Sequence, residues 1–310
     1  MSKEIKVFAP ASVANVSVGF DILGFAIEHL GDDIIARRAK TNGVTISKIT
    51  GDGKKLPLEA LKNTAGYAAI KFLESIGESG FPMEMEIHKK MPLKSGLGSS
   101  AASAVAGVMA ANEIIGAGKS KDELLKFAVM GEELVDGAWH ADNVAPSLFG
   151  NIVLIRDNKS LDLVHLPVPD DLYVLLIHPH QEIETKESRG VLSDHVSLVN
   201  HVQQNGNTAA FIVSLFNNDF ALMRRSLQDI IVEPQRKHLI HGFDSIRKIA
   251  MDQDAIGFGI SGAGPSMFCF CKSKQQAEQV KEEVRKYFFE LSKECDLFVS
   301  KINRRGAFVY

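Results

Sequence analysis

The chain has 310 residues, and its 35 lysines and arginines against 38 aspartates and glutamates give a formal net charge of −3. This balance gives no reason to expect nucleic acid or an anionic membrane surface as a partner. Hydrophobic residues make up 45% of the sequence, yet no uninterrupted apolar segment reaches the roughly 18 residues that a membrane-spanning helix needs. The opening MSKEIKVFAPAS lacks the apolar stretch of a signal peptide, so we expect a cytoplasmic protein.

Strand-like and helical segments alternate along the first half of the chain. The strand candidates are EIKVFAPASVANV, DDIIARRAK, GVTISKITG and PMEMEIHKKMP, and the strict alternation of the last is typical of a half-buried strand. Helical spacing covers NTAGYAAIKFLESI and ends at Gly77. The run that follows SGLG is apolar on nearly all sides, which predicts a buried helix. A further helix is predicted over SKDELLKFAVMGEELVDG, with Ser120 as its cap.

The second half continues the mixture of strands and helices. Strands are predicted at GNIVLIRD, LYVLLIHP and DLFVSKINRRGAFVY, and AIGFGISGAGPSMFCFC reads as strand, glycine loop and strand. The predicted helices are Val191–Gln204, Thr208–Asn217, Phe220–Leu227, Gly242–Asp252 and Lys274–Ser292. The segment DNKSLDLVHLPVPDD contains turn residues and two prolines, so we place a domain boundary there, between 1–160 and 161–310. The interleaving indicates a mixed α and β fold.

The cysteines give no sign of a metal site. Cys269 and Cys271 alternate with phenylalanine in MFCFC, which reads as a strand, and Cys295 stands apart. No further cysteine and histidine pair completes a metal-ligand pattern. We therefore expect buried, reduced thiols.

The stretch PLKSGLGSSAAS combines a glycine loop with the start of a helix. Gly96 and Gly98 allow positive φ angles and close approach of the backbone to a ligand, and Ser99 and Ser100 are good N-cap residues. A glycine loop that ends at a helix N-terminus is suited to phosphate. The stretch matches neither a Walker A loop nor a dinucleotide fingerprint. By itself it leaves open a nucleotide site, a phosphosugar site or a hinge before a packed helix.

Two further segments narrow these alternatives. PASVANVSVGFDILGFA (10–26) and GISGAGPSMF (259–268) flank the glycine loop in chain order. Together the three segments resemble the three signature motifs of the galactokinase, homoserine kinase, mevalonate kinase and phosphomevalonate kinase (GHMP) superfamily. A fourth segment, GAWHADNVAPSLFG (137–150), resembles the signature of the homoserine kinase family, as do NTAGYAA, TKESR and VEPQR.

The resemblance implies a fold and an activity. The fold would be α+β, with an N-terminal ATP-binding domain that resembles ribosomal protein S5 domain 2 and a ferredoxin-like C-terminal domain. The active site would lie between the two domains. The reaction would be transfer of the ATP γ-phosphoryl group to the side-chain hydroxyl of L-homoserine, in threonine biosynthesis, with Mg²⁺ as the metal. We expect a homodimer.

The resemblance also assigns residues to the nucleotide and the metal. Asn63 is expected near the nucleotide base. Mg²⁺ is assigned to Ser100 and Glu132, although GEELVDG alone is typical of a solvated helix face. The phosphates would be bound by the loop and the first residues of the helix: Pro92, Leu93, Lys94, Ser95, Gly96, Leu97, Gly98, Ser99, Ser100 and Ala101.

Homoserine carries an ammonium and a carboxylate, so its pocket needs charges of both signs. Asp21 is expected to bind the ammonium, and Arg189 and Arg236 the carboxylate, since a guanidinium binds it in a fork. Asn15 and Asn143 would orient the hydroxyl. An amide cannot accept a proton as a carboxylate can, so catalysis by Asn143, Asn15 and Arg189 would need no base. The other substrate-binding residues expected are His140, Asp142, Thr185 and Gly262. A role for Asp142 as a base, and a purely supporting role for His140, remain open.

Three positions depart from the family pattern. Ser17-Val18 stands where a Gly-Pro pair is usual, and Lys94 and Asn151 each replace a glycine. One alternative function is a sister kinase for another small alcohol. Two features argue against it: Asn143 stands in place of a catalytic aspartate, and two arginines are available for the pocket. The other is a non-catalytic sensor of nucleotide or metabolite, which should have lost metal or substrate groups that are present here.

Overall fold

A computed structural model describes residues 4–310, without the side chains of Val135 and Asp136. The strands are β1 (Glu4–Ala14), β2 (Leu23–Arg38), β3 (Val44–Thr50), β4 (Met83–His88), β5 (Ile152–Asp157), β6 (Asp162–Leu166), β7 (Tyr173–Pro179), β8 (Gly257–Ile260), β9 (Met267–Cys271), β10 (Cys295–Lys301) and β11 (Phe308–Val309). The helices are α1 (Thr64–Ser75), α2 (Ser99–Ile115), α3 (Lys121–Asp136), α4 (Val144–Phe149), α5 (Thr185–Gly190), α6 (Leu198–Asn217), α7 (Phe220–Ser226), α8 (Glu233–Arg236), α9 (Phe243–Asp252) and α10 (Lys274–Glu290).

The first sheet has seven strands and supports the glycine loop. Its main path is β11-β1-β2-β4-β3, with β5 paired to β2 and β6 paired to β5. Only the β3–β4 pair is parallel among these strands. The alanine-rich α2 packs between β1 and β2 on one side and α1 and α3 on the other. Its small side chains allow this close packing, and the predicted burial of α2 is confirmed.

The second sheet is antiparallel, with four strands in the order β10-β7-β9-β8. Along the chain, β7, the helices up to α9, β8, β9, α10 and β10 follow the β-α-β-β-α-β pattern of ferredoxin-like domains. Cys269 and Cys271 are buried thiols on β9, as predicted, but the prediction was wrong for Cys295, which is only half-buried because β10 is an edge strand. None of the helices in residues 4–310 combines the length and hydropathy that crossing a bilayer requires.

Two predicted boundaries look different in the structure. The division after residue 160 stays a prediction, but it falls within the β5–β6 hairpin, and β11 also returns to the first sheet.

The prediction of two helices, at Val191–Gln204 and Thr208–Asn217, was wrong, because α6 is one continuous helix. It begins after Ser197, which caps it, and runs through Gly206. Contacts outside the helix, such as the 2.8 Å bond from Asn207 to the Gln228 carbonyl, outweigh the low helix propensity of the Gly-Asn pair.

Candidate active site

A cavity of about 600 Å³ lies where loops of the two sheets meet. It is a size typical of small-molecule sites. Of the residues predicted from the sequence, those that line it are Asn15, Asp21, Asn63, Leu93, Lys94, Ser95, Gly96, Gly98, Ser99, Ser100, Glu132, His140, Asp142, Asn143, Thr185, Arg189, Arg236 and Gly262. Pro92, Leu97 and Ala101 are not among its lining residues, and the last two are fully buried in the core.

The three glycine-rich segments, far apart in the chain, are joined by hydrogen bonds at this cavity. The Ser12 N–H donates to the Leu97 carbonyl over 3.1 Å, and the Ser261 hydroxyl donates to the Gly96 carbonyl over 2.6 Å. Gly96 has φ +77, and a Cβ there would lie 2.4 Å from the Ser261 carbonyl oxygen. The glycine loop is therefore held by both neighbouring segments, and only glycine fits between them.

The loop delivers the N-terminus of α2 to the cavity without a side-chain cap. The N-cap is Gly98, at φ +65, and not Ser99 or Ser100 as the sequence suggested. The correction has a physical reason: the left-handed turn at the cap favours glycine, and it places both serines inside the first turn. Because no side chain occupies the first N–H groups, the positive end of the helix is available to an anion.

Lys94 takes a backbone conformation that explains why glycine is usual at this position. Its φ is +53, in the left-handed region. Its ammonium donates to Glu184 over 2.6 Å, and this hydrogen bond raises the pKa of Lys94. The predicted phosphate contact of Lys94 is thus accompanied by an ion pair at the cavity mouth.

Ser100 and Glu132 meet although they lie on different helices. The Ser100 hydroxyl on α2 donates to Glu132 Oε1 on α3 over 2.8 Å. Glu132 is only 4% exposed, unlike the solvated residue that its local sequence suggested. A hydroxyl and a carboxylate beside the glycine loop supply two oxygen ligands of the kind that a hard cation prefers.

Four charged or ionisable side chains that line the cavity form a continuous row of contacts. Arg189 donates two bonds to the Asp21 carboxylate, of 2.8 and 3.1 Å, and a third contact of 2.7 Å reaches His140 Nε2. His140 Nδ1 lies 3.2 Å from Asp142 Oδ1. A guanidinium only donates, so Nε2 must be the acceptor. We therefore assign the proton of neutral His140 to Nδ1, facing Asp142.

The protonation of His140 is set by opposing effects. Burial lowers the pKa of its imidazole most, but the hydrogen bond and charge of Asp142, together with the charge of Asp21, outweigh burial. The positive charge of Arg189 lowers the pKa, as burial does, but the net result is a raised pKa of His140. His140 therefore keeps its proton up to a higher pH than an ordinary imidazole does.

Arg236 is buried within the cavity wall, at 3% exposure. It donates to the Ser188 carbonyl over 2.9 Å and to the Gly262 carbonyl over 3.2 Å. Burial, with a smaller effect of Arg189, lowers the pKa of Arg236 to about 10, so the guanidinium keeps its charge at neutral pH. The sequence did not single out Phe20, whose ring lies 5.0 Å from the Arg236 guanidinium and 5.5 Å from that of Arg189.

The two asparagines are oriented by neighbouring groups. Asn15, at φ +73, donates to the Gly262 carbonyl over 2.9 Å and accepts from the Asp21 N–H over 3.0 Å. Asn143 accepts from the Ser12 hydroxyl over 2.9 Å. Ser17, in place of the usual glycine, keeps the left-handed backbone at φ +56, so the departure does not remove the turn. Each amide is thus fixed at the cavity wall.

Asn63 and Lys89 have roles that the sequence did not reveal. Asn63 caps α1 by accepting from the Ala65 N–H over 3.1 Å, and it also donates to the Pro57 carbonyl. Lys89 is buried and donates to Asp32, to the Ser99 carbonyl and to the Ser103 hydroxyl. The alternation of β4 places residues 83, 85 and 87 inward, and continuing it would have placed residue 89 inward as well.

Comparisons with known proteins agree with this geometry. Residues 63–151 match the model of the GHMP kinases N-terminal domain, and residues 211–290 match that of the GHMP kinases C-terminal domain. A homoserine kinase of Chlorobium phaeovibrioides is 44% identical over 98% of this chain and 99% of its own length. The crystal structure of a homoserine kinase from Cytophaga hutchinsonii is 47% identical, covers 100% of this chain and 98% of its own, and has a TM-score of 0.97.

A more distant structure shares the fold alone. Mevalonate kinase of L. major, solved with R-mevalonate, is 14% identical, with a TM-score of 0.72 over 97% of this chain and 99% of its own. The predicted α+β GHMP kinase fold is confirmed. The full-length similarity, which includes the glycine loop and the charged row beside it, shows that this chain belongs to the homoserine kinase family of the GHMP kinases.

Proposed function

We propose how this chain performs the reaction of its family, the transfer of the ATP γ-phosphoryl group to the side-chain hydroxyl of L-homoserine in threonine biosynthesis. The observation that carries the proposal is the placement of opposite charges directly beside the phosphate loop. Asp21, Arg189 and Arg236 line the same cavity as the N-terminus of α2. One end of the cavity suits a zwitterionic amino acid and the other suits phosphate groups.

The two ends of homoserine are recognised by different charges. The ammonium binds Asp21, and the carboxylate binds Arg236 and Arg189. Arg189 and Asp21 already pair with each other, so binding exchanges one internal pair for two pairs with the substrate. A ligand with only one of the two charges would leave its counterpart without compensation, which is costly. The pocket therefore favours a zwitterion over a simple alcohol.

The hydroxyl is positioned by amides and not deprotonated by a carboxylate. Asn143 and Asn15 orient it toward the γ-phosphorus, where the new O–P bond forms as the bond to the ADP oxygen breaks. The hydroxyl proton passes to an oxygen of the transferred phosphoryl group. Asp142 faces His140 and orients it, which supports a positioning role for Asp142. Because the transition state is loose, positioning and charge stabilisation are sufficient sources of catalysis.

Ser100 and Glu132 fit a magnesium ion. Mg²⁺ is commonly bound by one or two protein oxygen ligands together with substrate phosphates, and these two oxygen donors lie 2.8 Å apart at the cavity wall. When bound, the ion would neutralise charge on the ATP phosphates. The buried position of Glu132 keeps its carboxylate beside the phosphate loop.

A coupled assay of ADP release tests the proposed activity. We expect ATP turnover with L-homoserine and none with mevalonate, galactose or shikimate. EDTA should abolish turnover and Mg²⁺ should restore it. Turnover that does not depend on homoserine would overturn the substrate assignment, and Mg-ATP binding without turnover on any amino alcohol would favour a sensor.

The magnesium assignment has a matched control on the same helix. Glu132→Gln keeps the shape of the side chain but removes its charge, so half-maximal activity should require more Mg²⁺. Glu133→Gln changes the exposed neighbour of Glu132 and should leave the Mg²⁺ titration unchanged. Equal titrations for both variants would contradict the assignment.

We expect kcat/KM for homoserine to fall as the pH drops through the raised pKa of His140. Protonated His140 cannot accept the N–H of Arg189, so Arg189 loses one of its positioning contacts. The effect on stability has the opposite sign. Because the folded pKa is raised, the stabilising contribution of His140 is present at acidic pH and is lost as the pH rises through that value. A pH profile of kcat/KM measures the first effect, since it reports groups of the free enzyme.

His140→Gln provides the control for this profile. A glutamine can accept from Arg189 and donate to Asp142 at every pH. The variant should keep most of its activity and lose the acidic limb assigned to His140. An unchanged acidic limb would assign it to another group.

A further inference from the structure

The outer face of α6 carries an apolar stripe that nothing in the described chain covers. We define the α6 stripe as Val199, Val202, Gly206, Ala209, Val213 and Phe216, all of which are exposed. Val199 is 75% exposed, Val202 63% and Phe216 61%. The adjacent Leu198, at 75%, and Val196 extend the apolar surface. Side chains of this size are seldom left in water as one continuous group.

The α6 stripe lies on a different side of the helix from the residues that pack into the core. At about 100° per residue, its members fall within an arc of about 100°. Phe211, Ser214 and Leu215, the buried residues of α6, lie on the opposite side and already attach the helix to the protein. The α6 stripe is thus a second apolar face, separate from the one that folding uses.

The α6 helix also lacks charge. From His195 to Asn218 the sequence contains no Asp, Glu, Lys or Arg, although these residues make up 24% of the chain. The nearly uncharged α2, whose single charged residue is Glu113, is explained by its burial, whereas much of α6 faces outward. Depletion of charged residues with retention of apolar ones is characteristic of the centre of a protein interface. A neutral face also meets an identical copy without charge repulsion.

The spacing of the stripe is self-complementary. Its members follow one another at 3, 4, 3, 4 and 3 residues, so the pattern is the same from either end. In an antiparallel pair of α6 helices, Val199 faces Phe216 of the second copy, Val202 faces Val213, and Gly206 faces Ala209. The smallest residues then meet at the two-fold axis, where they allow close approach, and the large ones meet toward the ends. Apolar residues at alternating spacings of three and four are typical of helix pairs whose axes are nearly aligned.

We propose that the α6 stripe is a two-fold interface between two copies of this chain, with the α6 helices antiparallel. A closed two-fold pair uses the same surface on both partners, which matches the symmetry of the stripe. A 20-residue helix is about 30 Å long, so the contact extends over much of the length of a small domain. The proposal does not depend on the substrate, because α6 contributes no residue to the lining of the active-site cavity.

Two double variants test the interface and its direction. Val202→Asp with Val213→Asp places like charges opposite each other in the antiparallel pair, and sedimentation velocity should show a monomer. Val202→Asp with Val213→Lys places opposite charges across the interface and should restore the dimer of the unchanged chain. The two positions are 11 residues apart on one helix, or about 16 Å, so the charges do not pair within one copy.

The controls separate loss of the interface from loss of folding. Phe289→Asp adds a charge at another exposed apolar residue, 83% exposed, and should leave the dimer intact. Circular dichroism should show the same helix content for all variants, because the changed side chains are exposed. A monomeric unchanged chain, or a dimeric Asp/Asp variant, would overturn the proposal. A folded but monomeric Asp/Lys variant would overturn the antiparallel arrangement.

Discussion

Replacing Gly98 by alanine is expected to reduce kcat strongly while the protein still folds. A Cβ at this position would lie 2.0 Å from the Ser12 hydroxyl and 2.9 Å from Asn143 Oδ1. Relief of this clash must move either Asn143, which we propose orients the substrate hydroxyl, or the cap of α2, which we propose binds phosphate. Since a displacement of about 1 Å in a positioned group can cost on the order of 100-fold in rate, we expect a loss of about that size. Steady-state kinetics at saturating ATP and homoserine measures it.

Gly53→Ala isolates the contribution of backbone strain. Gly53 has φ +63, close to the +65 of Gly98, but a Cβ there meets nothing within 4 Å. In both variants the left-handed conformation should lower the free energy of unfolding by about 1–2 kcal/mol, which thermal unfolding measures. Only Gly98→Ala should lose turnover. An equal loss of kcat in the two variants would mean that strain, and not the clash with Asn143, is responsible.

Replacing Arg236 by methionine is expected to raise the KM for homoserine far more than the KM for ATP. Methionine fills a similar volume but cannot bind a carboxylate. Loss of one partner from a buried charge pair typically costs about 2–5 kcal/mol of binding free energy. This loss corresponds to a rise in the KM for homoserine on the order of 30-fold or more. Each KM is measured with the other substrate saturating.

The matched control for Arg236 is Arg224→Met. Arg224 lies on the exposed side of α7, where it bonds Asp254, and it does not line the cavity. Its replacement should leave both KM values unchanged. Equal increases in the two KM values for Arg236→Met would place Arg236 outside the homoserine site and would indicate a general disturbance of the cavity.

The sequence predicted most local structure because its patterns have local causes. The alternation in PMEMEIH and the Ser120 cap each depend on a few neighbouring residues, and both are confirmed as β4 and the start of α3. The burial of α2 followed from its composition. The fold was then indicated by the order of the three signature segments. Segments that keep a family's order along the chain favour that family's topology.

Features that depend on distant contacts could not be predicted in this way. The local sequence of Glu132 is that of a surface helix, and its burial arises because Ser100 approaches from another helix. The continuity of α6 depends on contacts with residues 18 and 228. Phe20 stands between Asn15 and Asp21 in sequence, but its position beside two guanidinium groups requires that α5 and α8 fold against it.

The attachment of the glycine loop to both of its neighbours has a thermodynamic consequence. An isolated glycine-rich loop samples many conformations, and a ligand that binds it must restrict them. Here the bonds from Ser12 to Leu97 and from Ser261 to Gly96 form when the chain folds. The conformational entropy of the loop is therefore lost on folding, and the nucleotide that we propose binds here does not have to order the loop. Each round of the proposed nucleotide binding would then proceed without a repeated disorder-to-order transition of the loop.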